Sequence, residues 1–312
     1  MFAGLFVPVW WCWRSFTWYA TGFDSDDPWC RIGLLAGMLG VAVLSIGVAG
    51  AAGEGESRTF VLAYVGLLII LGGLYGRIWL LFPAARSLAR RYVLGYAVGA
   101  VIWSASLALQ EGARPWLWAV AMVVLIATPV AVLRQPRRAY HAAHIAERYG
   151  LFTIIVLGES VVVTVSGLDA GASTDVVAVA LLGFGIAVTI WWTYFGRYRD
   201  APGGTAVARF VWAQVHVLVF AGIAAAAVGV EFAVEAASEG RGLELVDRLT
   251  LGAGLAAYLL AMGAIRATTR HLDRIAGRKP LGLGSARRRT LRRWCTDPSG
   301  PPRRLCGAPS PG

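Results

Sequence analysis

The residues whose types and spacing best suit chemistry lie in the stretch HAAHIAERYGLFTIIVLGESVVVTVSG, residues 141–167. Its middle holds Glu159, a carboxyl inside an apolar run. At a bilayer centre an acidic side chain costs at least ~2.5–3.5 kcal/mol even on permissive insertion scales. Such a group either pairs with a cation or is held protonated. Both states suit a proton relay or a cation site. The structural alternative is a protonated carboxyl hydrogen-bonded to a neighbouring helix.

Upstream, His141, His144 and Glu147 recur at every third residue, and Arg148 follows. On a helix this spacing sets them along one side, each ~60° from the last. If that helix continues through Gly150, Glu159 returns to the azimuth of His141 after about five turns, ~27 Å along the axis. The stripe would then lead from the membrane surface to its middle, with histidines that titrate near neutrality and pass protons. A divalent-metal site is a second reading, and an interfacial helix whose histidines meet headgroups is a third. HxxH with one Glu does not suffice to assign a metal.

Other ionisable groups surround this stripe. His216, beside Gln214 in a later apolar run, is a candidate partner for Glu159. The segment FDSDDPW carries Asp24, Asp26 and Asp27. One of Asp26 and Asp27 suits an N-cap, with Pro28 in the first turn. The surplus carboxylates suit a cation-attracting vestibule, and Arg148 can pair with them or with Glu147. Arg14 and Arg77 stand near span ends, where long side chains snorkel. Ser160 in GES lacks the second glycine of a nucleophile elbow. With no phosphate loop, no HExxH and no cofactor motif, no enzyme activity and no cofactor are expected. Cys12, Cys30, Cys295 and Cys306 form no CxxC and are read as unpaired.

The elements that must position these groups follow from composition. Of 312 residues, 57% are hydrophobic and only 15% charged, against roughly 25% charged in soluble domains. The mean hydropathy is +0.61. Apolar residues fall in blocks that match a bilayer's width. Nine spans are expected, at 2–20, 32–52, 60–82, 93–109, 116–133, 151–167, 176–195, 210–230 and 249–265. Backbone groups in lipid must pair within their own segment, so each span is helical. The fold class is therefore all-α, a polytopic transmembrane helical bundle over residues 1–266. Residues 267–312 form a basic tail, expected to be disordered and cytoplasmic. Glycines such as Gly33, Gly37, Gly40, Gly183 and Gly185, with Gly72, Gly73 and Gly76, suit close helix contact.

The net charge of +11 would suggest nucleic acid in a soluble chain. Here the arginines crowd alternate loops (Arg86, Arg90, Arg91; Arg134, Arg137, Arg138; Arg197, Arg199, Arg209) and the tail. The loops between them are mostly acidic. This is the layout of the positive-inside rule, and it places the C-terminus in the cytoplasm. The partners expected are the lipid bilayer and a proton or small cation, with no nucleic acid. Nine spans would leave Met1 outside with no flanking segment, so a helix preceding it is expected. The basic Pro- and Gly-rich end is read as a lipid-binding tail or as a frameshifted replacement for a further helix. Trp10-Trp11 with Arg14 and Asp24 is similar to Trp191-Trp192 with Arg197 and Asp200. The readings are a parallel internal repeat or two unrelated aromatic belts.

On WYATGFDSDDPW, residues 18–29, and HIAERYGLFTIIVLGES, residues 144–160, the chain resembles the bacterial low temperature requirement protein A family. The resemblance runs from the start to about Gly284. It implies an integral membrane protein of the bacterial cytoplasmic membrane, from a family named for a need in cold growth. Members typically begin with a helix carrying an ELFFDLVFVFA-like stretch, which this sequence lacks. The leading expectation is a proton- or cation-coupled transporter or channel-like protein using Glu159. The alternative is a non-transporting membrane protein of low-temperature adaptation or membrane-state sensing.

Overall fold

A computed structural model describes residues 2–23, 27–53, 56–132, 142–166, 172–197 and 206–275. Their order is α1 (Phe2–Gly22), α2 (Pro28–Gly53), α3 (Arg58–Leu81), α4 (Arg86–Ser106), α5 (Arg114–Val132), α6 (Ala142–Ser166), α7 (Thr174–Arg197), α8 (Ala206–Ser238) and α9 (Leu245–Ile275). Short 3-10 turns lead into α4 and α5, and no strand occurs among the described residues. The chain is a helical membrane bundle, with one helix at each of the nine expected spans. By length and composition, α2, α3, α5 with its leading turn, α7, α8 and α9 are apolar enough to cross a membrane. Helices α1, α4 and α6 carry the tryptophans, tyrosines and ionisable residues of the interior and of the surface stripe, which lowers their hydropathy.

The helices form two groups. Helices α2 to α5 pack each on the next, and α6, α7 and α9 gather on α8. Helix α1 lies between the groups and touches α2, α3 and α5 on one side and α6 and α8 on the other. The core follows from this position. Trp11 and Tyr19 of α1 are buried with Tyr64, Tyr75, Trp103, Tyr149, Trp212 and Phe220. Large apolar side chains face outward on α2, including Ile32, Leu35, Met38, Leu39 and Ile46. Lipid tails are as apolar as leucine, so such a face is at home in a bilayer.

Glycine sets the closest crossings. A Cβ on Gly222 of α8 would fall 2.7 Å from the backbone nitrogen of Tyr258, and one on Gly254 of α9 would fall 2.5 Å from that of Ala226. Gly229 meets Leu251 just as closely. Small residues let two backbones approach where dispersion must hold a membrane pair together. Gly33, Gly37, Gly40 and Gly183 sit against Leu74, Phe16, Leu67 and Val230 as expected. The expectation fails at Gly73, Gly76 and Gly185, which have nothing within 4 Å. Their helices turn those positions away from their neighbours.

Several helices outrun their apolar blocks. Helix α6 starts at Ala142 and passes Gly150 unbroken, α8 extends to Ser238, and α9 to Ile275. Residues 267–275, expected in the tail, therefore continue a helix, because backbone pairing does not stop where hydropathy falls. At the acidic end of the bundle α8 closes on Gly240, whose φ of +66° is the left-handed conformation glycine adopts freely. Gly240 N–H donates to Ala237 and Arg241 N–H to Ala236, satisfying the last carbonyls. Arg241 then bonds Glu239 at 2.5 Å and Asp247 of α9 at 3.1 Å. Those carboxylates hold its pKa above the usual arginine value.

Candidate functional site

Helix α6 positions the stripe read from the sequence. Its inward seam is Ile145, Tyr149, Thr153, Leu157, Ser160 and Thr164, all buried. The hydroxyls of Thr153, Ser160 and Thr164 donate to carbonyls of Tyr149, Leu157 and Ser160 in their own helix. Ser160 is thus committed to the backbone. The opposite face carries Arg148, Leu151, Ile155, Glu159 and Val162, all exposed. Arg148 and Glu159 are three turns apart on that outward face, ~16 Å along the axis.

Glu159 thus faces away from the bundle interior, next to Ser160, which shares a small cavity with Ala187 and Ile190 of α7. No hydrogen bond or ion pair of Glu159 occurs among the described residues. A hydrogen bond to a neighbouring helix, the structural alternative, is not formed there. His144 and Glu147 are both exposed, with Nδ1 and Oε2 3.7 Å apart. His141, Asp24 and Asp26 lie outside the described residues. Among the described residues no group of three His, Cys, Asp or Glu side chains is placed to hold a metal ion.

His216 does not pair with Glu159. It is buried in α8, its Nδ1 2.8 Å from the Trp212 carbonyl and its Nε2 3.2 Å from the Tyr194 hydroxyl. A carbonyl can only accept, so Nδ1 carries the proton, and in the neutral ring Nε2 accepts from Tyr194. The ring also stands edge-on to Tyr149, with centroids 5.0 Å apart. The partnership with Glu159 fails because α6 turns Tyr149, rather than Glu159, toward α8.

The FDSDDPW segment behaves as a helix start. Asp27 Oδ1 accepts from the backbone N–H groups of Trp29 and Cys30 at 2.9 and 3.0 Å. Its Oδ2 is 2.7 Å from Arg77 of α3. The cap reading of Asp27 holds, and the same carboxylate ties the α1–α2 connection to α3.

Arg14 departs most from its sequence reading. It does not snorkel. It is 4% exposed, with its guanidinium carbon 4.5, 5.1 and 5.3 Å from the ring centroids of Trp11, Trp18 and Phe210. Trp18 donates to the Tyr149 hydroxyl at 3.3 Å. Arg14, Trp18, Tyr149, His216 and Tyr194 form a chain of polar and aromatic contacts through the junction of the two helix groups. Sequence reasoning missed Tyr149, Tyr194 and the burial of Arg14. The one available signal was the aromatic density around Arg14 and within ERYGLF.

Trp10 and Trp11 are buried, whereas Trp191 and Trp192 are exposed. The two tryptophan pairs therefore occupy different surroundings.

These features define a multi-pass helical membrane protein with a mostly closed, aromatic interior. The chain belongs to the bacterial low temperature requirement A protein family, whose model matches residues 1–284. It is also similar to an uncharacterized protein of Rhizobium meliloti (strain 1021), 27% identical over 259 residues. That match covers 74% of this chain and 61% of the relative's length. No solved structure matches the chain.

Proposed function

We propose that this chain is a proton- or cation-coupled transporter or channel-like protein of the bacterial cytoplasmic membrane, with its C-terminus inside and Glu159 as the coupling group. The observation that carries this reading is the placement of Glu159. Its carboxyl interrupts an apolar run on the outward face of α6 and serves no bond among the described residues. A group that costs ~2.5–3.5 kcal/mol or more in lipid and stabilises nothing by bonding calls for another reason to be there. Reversible protonation is the chemistry such a carboxyl offers, since only its neutral form is cheap in lipid. The exposed pair His144 and Glu147 and the cation Arg148 stand on the same helix toward its arginine-rich end. The alternation of arginine-rich and acidic loops supports the orientation.

Proton flux in proteoliposomes holding the purified full chain tests the reading. Wild-type protein is expected to pass protons under an imposed pH gradient, with flux lost in Glu159→Gln and retained in Glu159→Asp. Unchanged flux in Glu159→Gln removes Glu159 from the mechanism. A wild-type chain that passes no ions yet restores growth in the cold assigns the protein to non-transporting, membrane-state adaptation.

A further inference from the structure

Arg14 is a cation that the described protein leaves without a counter-charge. A guanidinium does not lose its proton in proteins, so titration cannot remove the burden. The faces of Trp11, Trp18 and Phe210 offset part of the lost hydration. Their charge is nevertheless zero, and Arg14 Nε has no hydrogen-bond partner. Among the described residues no carboxylate lies within ion-pair distance of Arg14. Asp27 is engaged by Arg77, Glu111 by Arg114, and Asp247 by Arg241. Removing a cation from water without an anionic partner is the costly half of a buried ion pair.

Beside this guanidinium is a cavity of ≈ 10 Å³, lined by Arg14, Ser15, Tyr92, Tyr96 and Thr128 among others. That is about the space of one water-sized occupant. The Thr128 hydroxyl is committed to the Val124 carbonyl. Ser15 and Tyr96 both line the cavity with hydroxyl-bearing side chains. A hydroxyl proton from either can be donated to an acceptor held there. The cavity is built from the C-terminal half of α1, the first turns of α4 and the last turn of α5. It therefore lies toward the bundle end that carries Arg86, Arg90 and Arg91, whose field concentrates anions.

We propose that this cavity is a binding site for a small monovalent anion of halide size, held by the Arg14 guanidinium and the hydroxyl protons of Ser15 and Tyr96. The volume rejects a phosphate or a lipid headgroup. The site does not depend on Glu159 or on any flux.

The test uses the full chain in nonionic detergent, exchanged into sodium gluconate. Chloride is titrated in at constant ionic strength while thermal unfolding is followed, with calorimetry as a direct measure of binding. Wild-type protein is expected to gain stability saturably with chloride, and sulfate is expected to have no such effect. Arg14→Gln should weaken chloride binding about tenfold or more, the scale of a lost charge-assisted hydrogen bond. Should Arg14→Gln not fold, Tyr96→Phe keeps the packing, and it should weaken chloride binding several-fold. A wild-type unfolding curve indifferent to chloride overturns the proposal. So do equal responses to chloride and sulfate, stabilisation by anionic lipid alone, and an unaltered chloride response in the variant that folds.

Discussion

His216 Nε2 accepts from the Tyr194 hydroxyl across 3.2 Å, joining α8 to α7 in a buried setting. The bond has a direction because Nδ1 is spent on the Trp212 carbonyl. Tyr194→Phe would leave Nε2 buried without a donor. The expected cost is about 1–3 kcal/mol, the penalty of an unsatisfied buried polar group. His216→Phe removes the acceptor as well as the imidazole, so the double variant should be less destabilised than the sum of the singles. Thermal unfolding in detergent of the four proteins measures this. Additive losses would show that the two residues do not act as a pair.

The α8–α9 crossing depends on having no side chain at Gly222, since a Cβ there meets backbone atoms of Tyr258 and Gly254 rather than flexible side-chain ends. Backbone cannot give way as a rotamer can. Gly222→Leu is expected to cost about 1–3 kcal/mol or more through overpacking. Gly185→Leu, at a position with nothing within 4 Å, should leave the unfolding temperature almost unchanged. Equal effects of the two changes would show that α8 and α9 do not pack as described.

These two cases show what a sequence of this kind reveals. Bilayer-length apolar blocks announce helices because lipid permits little else, and all nine blocks became helices. Which side of each helix faces protein is far less legible. A helix apolar all round carries no moment to read, so Gly185 and Gly183 look alike in sequence while only Gly183 meets a neighbour. Arg14 looked free to snorkel because its distance from the helix end allowed it. Its burial depends on Phe210 of α8, far along the chain. Glu159 was legible as a carboxyl within an apolar run, but its outward direction rests on the seam chosen by Tyr149, Thr153 and Leu157. Asp27 was readable as a cap because capping is local, whereas its ion pair with Arg77 is not.

Asp27 separates those two roles experimentally. Asp27→Asn retains a side-chain oxygen for the N–H groups of Trp29 and Cys30 but loses the charge facing Arg77. Both partners are about 30% exposed, so the ion pair contributes on the order of 1 kcal/mol or less. Asp27→Ala loses the cap as well, worth about 0.5–2 kcal/mol. Unfolding temperatures should fall in the order wild type, Asn, Ala, and the gap between wild type and Asn should narrow in high salt. An Asn variant as unstable as the Ala variant would show that the cap contributes nothing.

Neighbouring positions on α6 give the sharpest check of its orientation. Glu159 faces outward with no bond among the described residues, while Ser160 is buried against α7 and α8 beside Gly183 and Ile223. Glu159→Leu replaces a carboxyl by an apolar group on a face that meets lipid, so stability in detergent should be kept or raised. Ser160→Leu forces a larger side chain into a cavity of ≈ 10 Å³, and about 1–3 kcal/mol should be lost to overpacking. The contrast also separates structure from coupling, since a Glu159→Leu protein that is fully stable yet carries no flux has lost chemistry and kept its fold. If instead Glu159→Leu unfolds readily and Ser160→Leu does not, the helix is turned by about 100° from the orientation described.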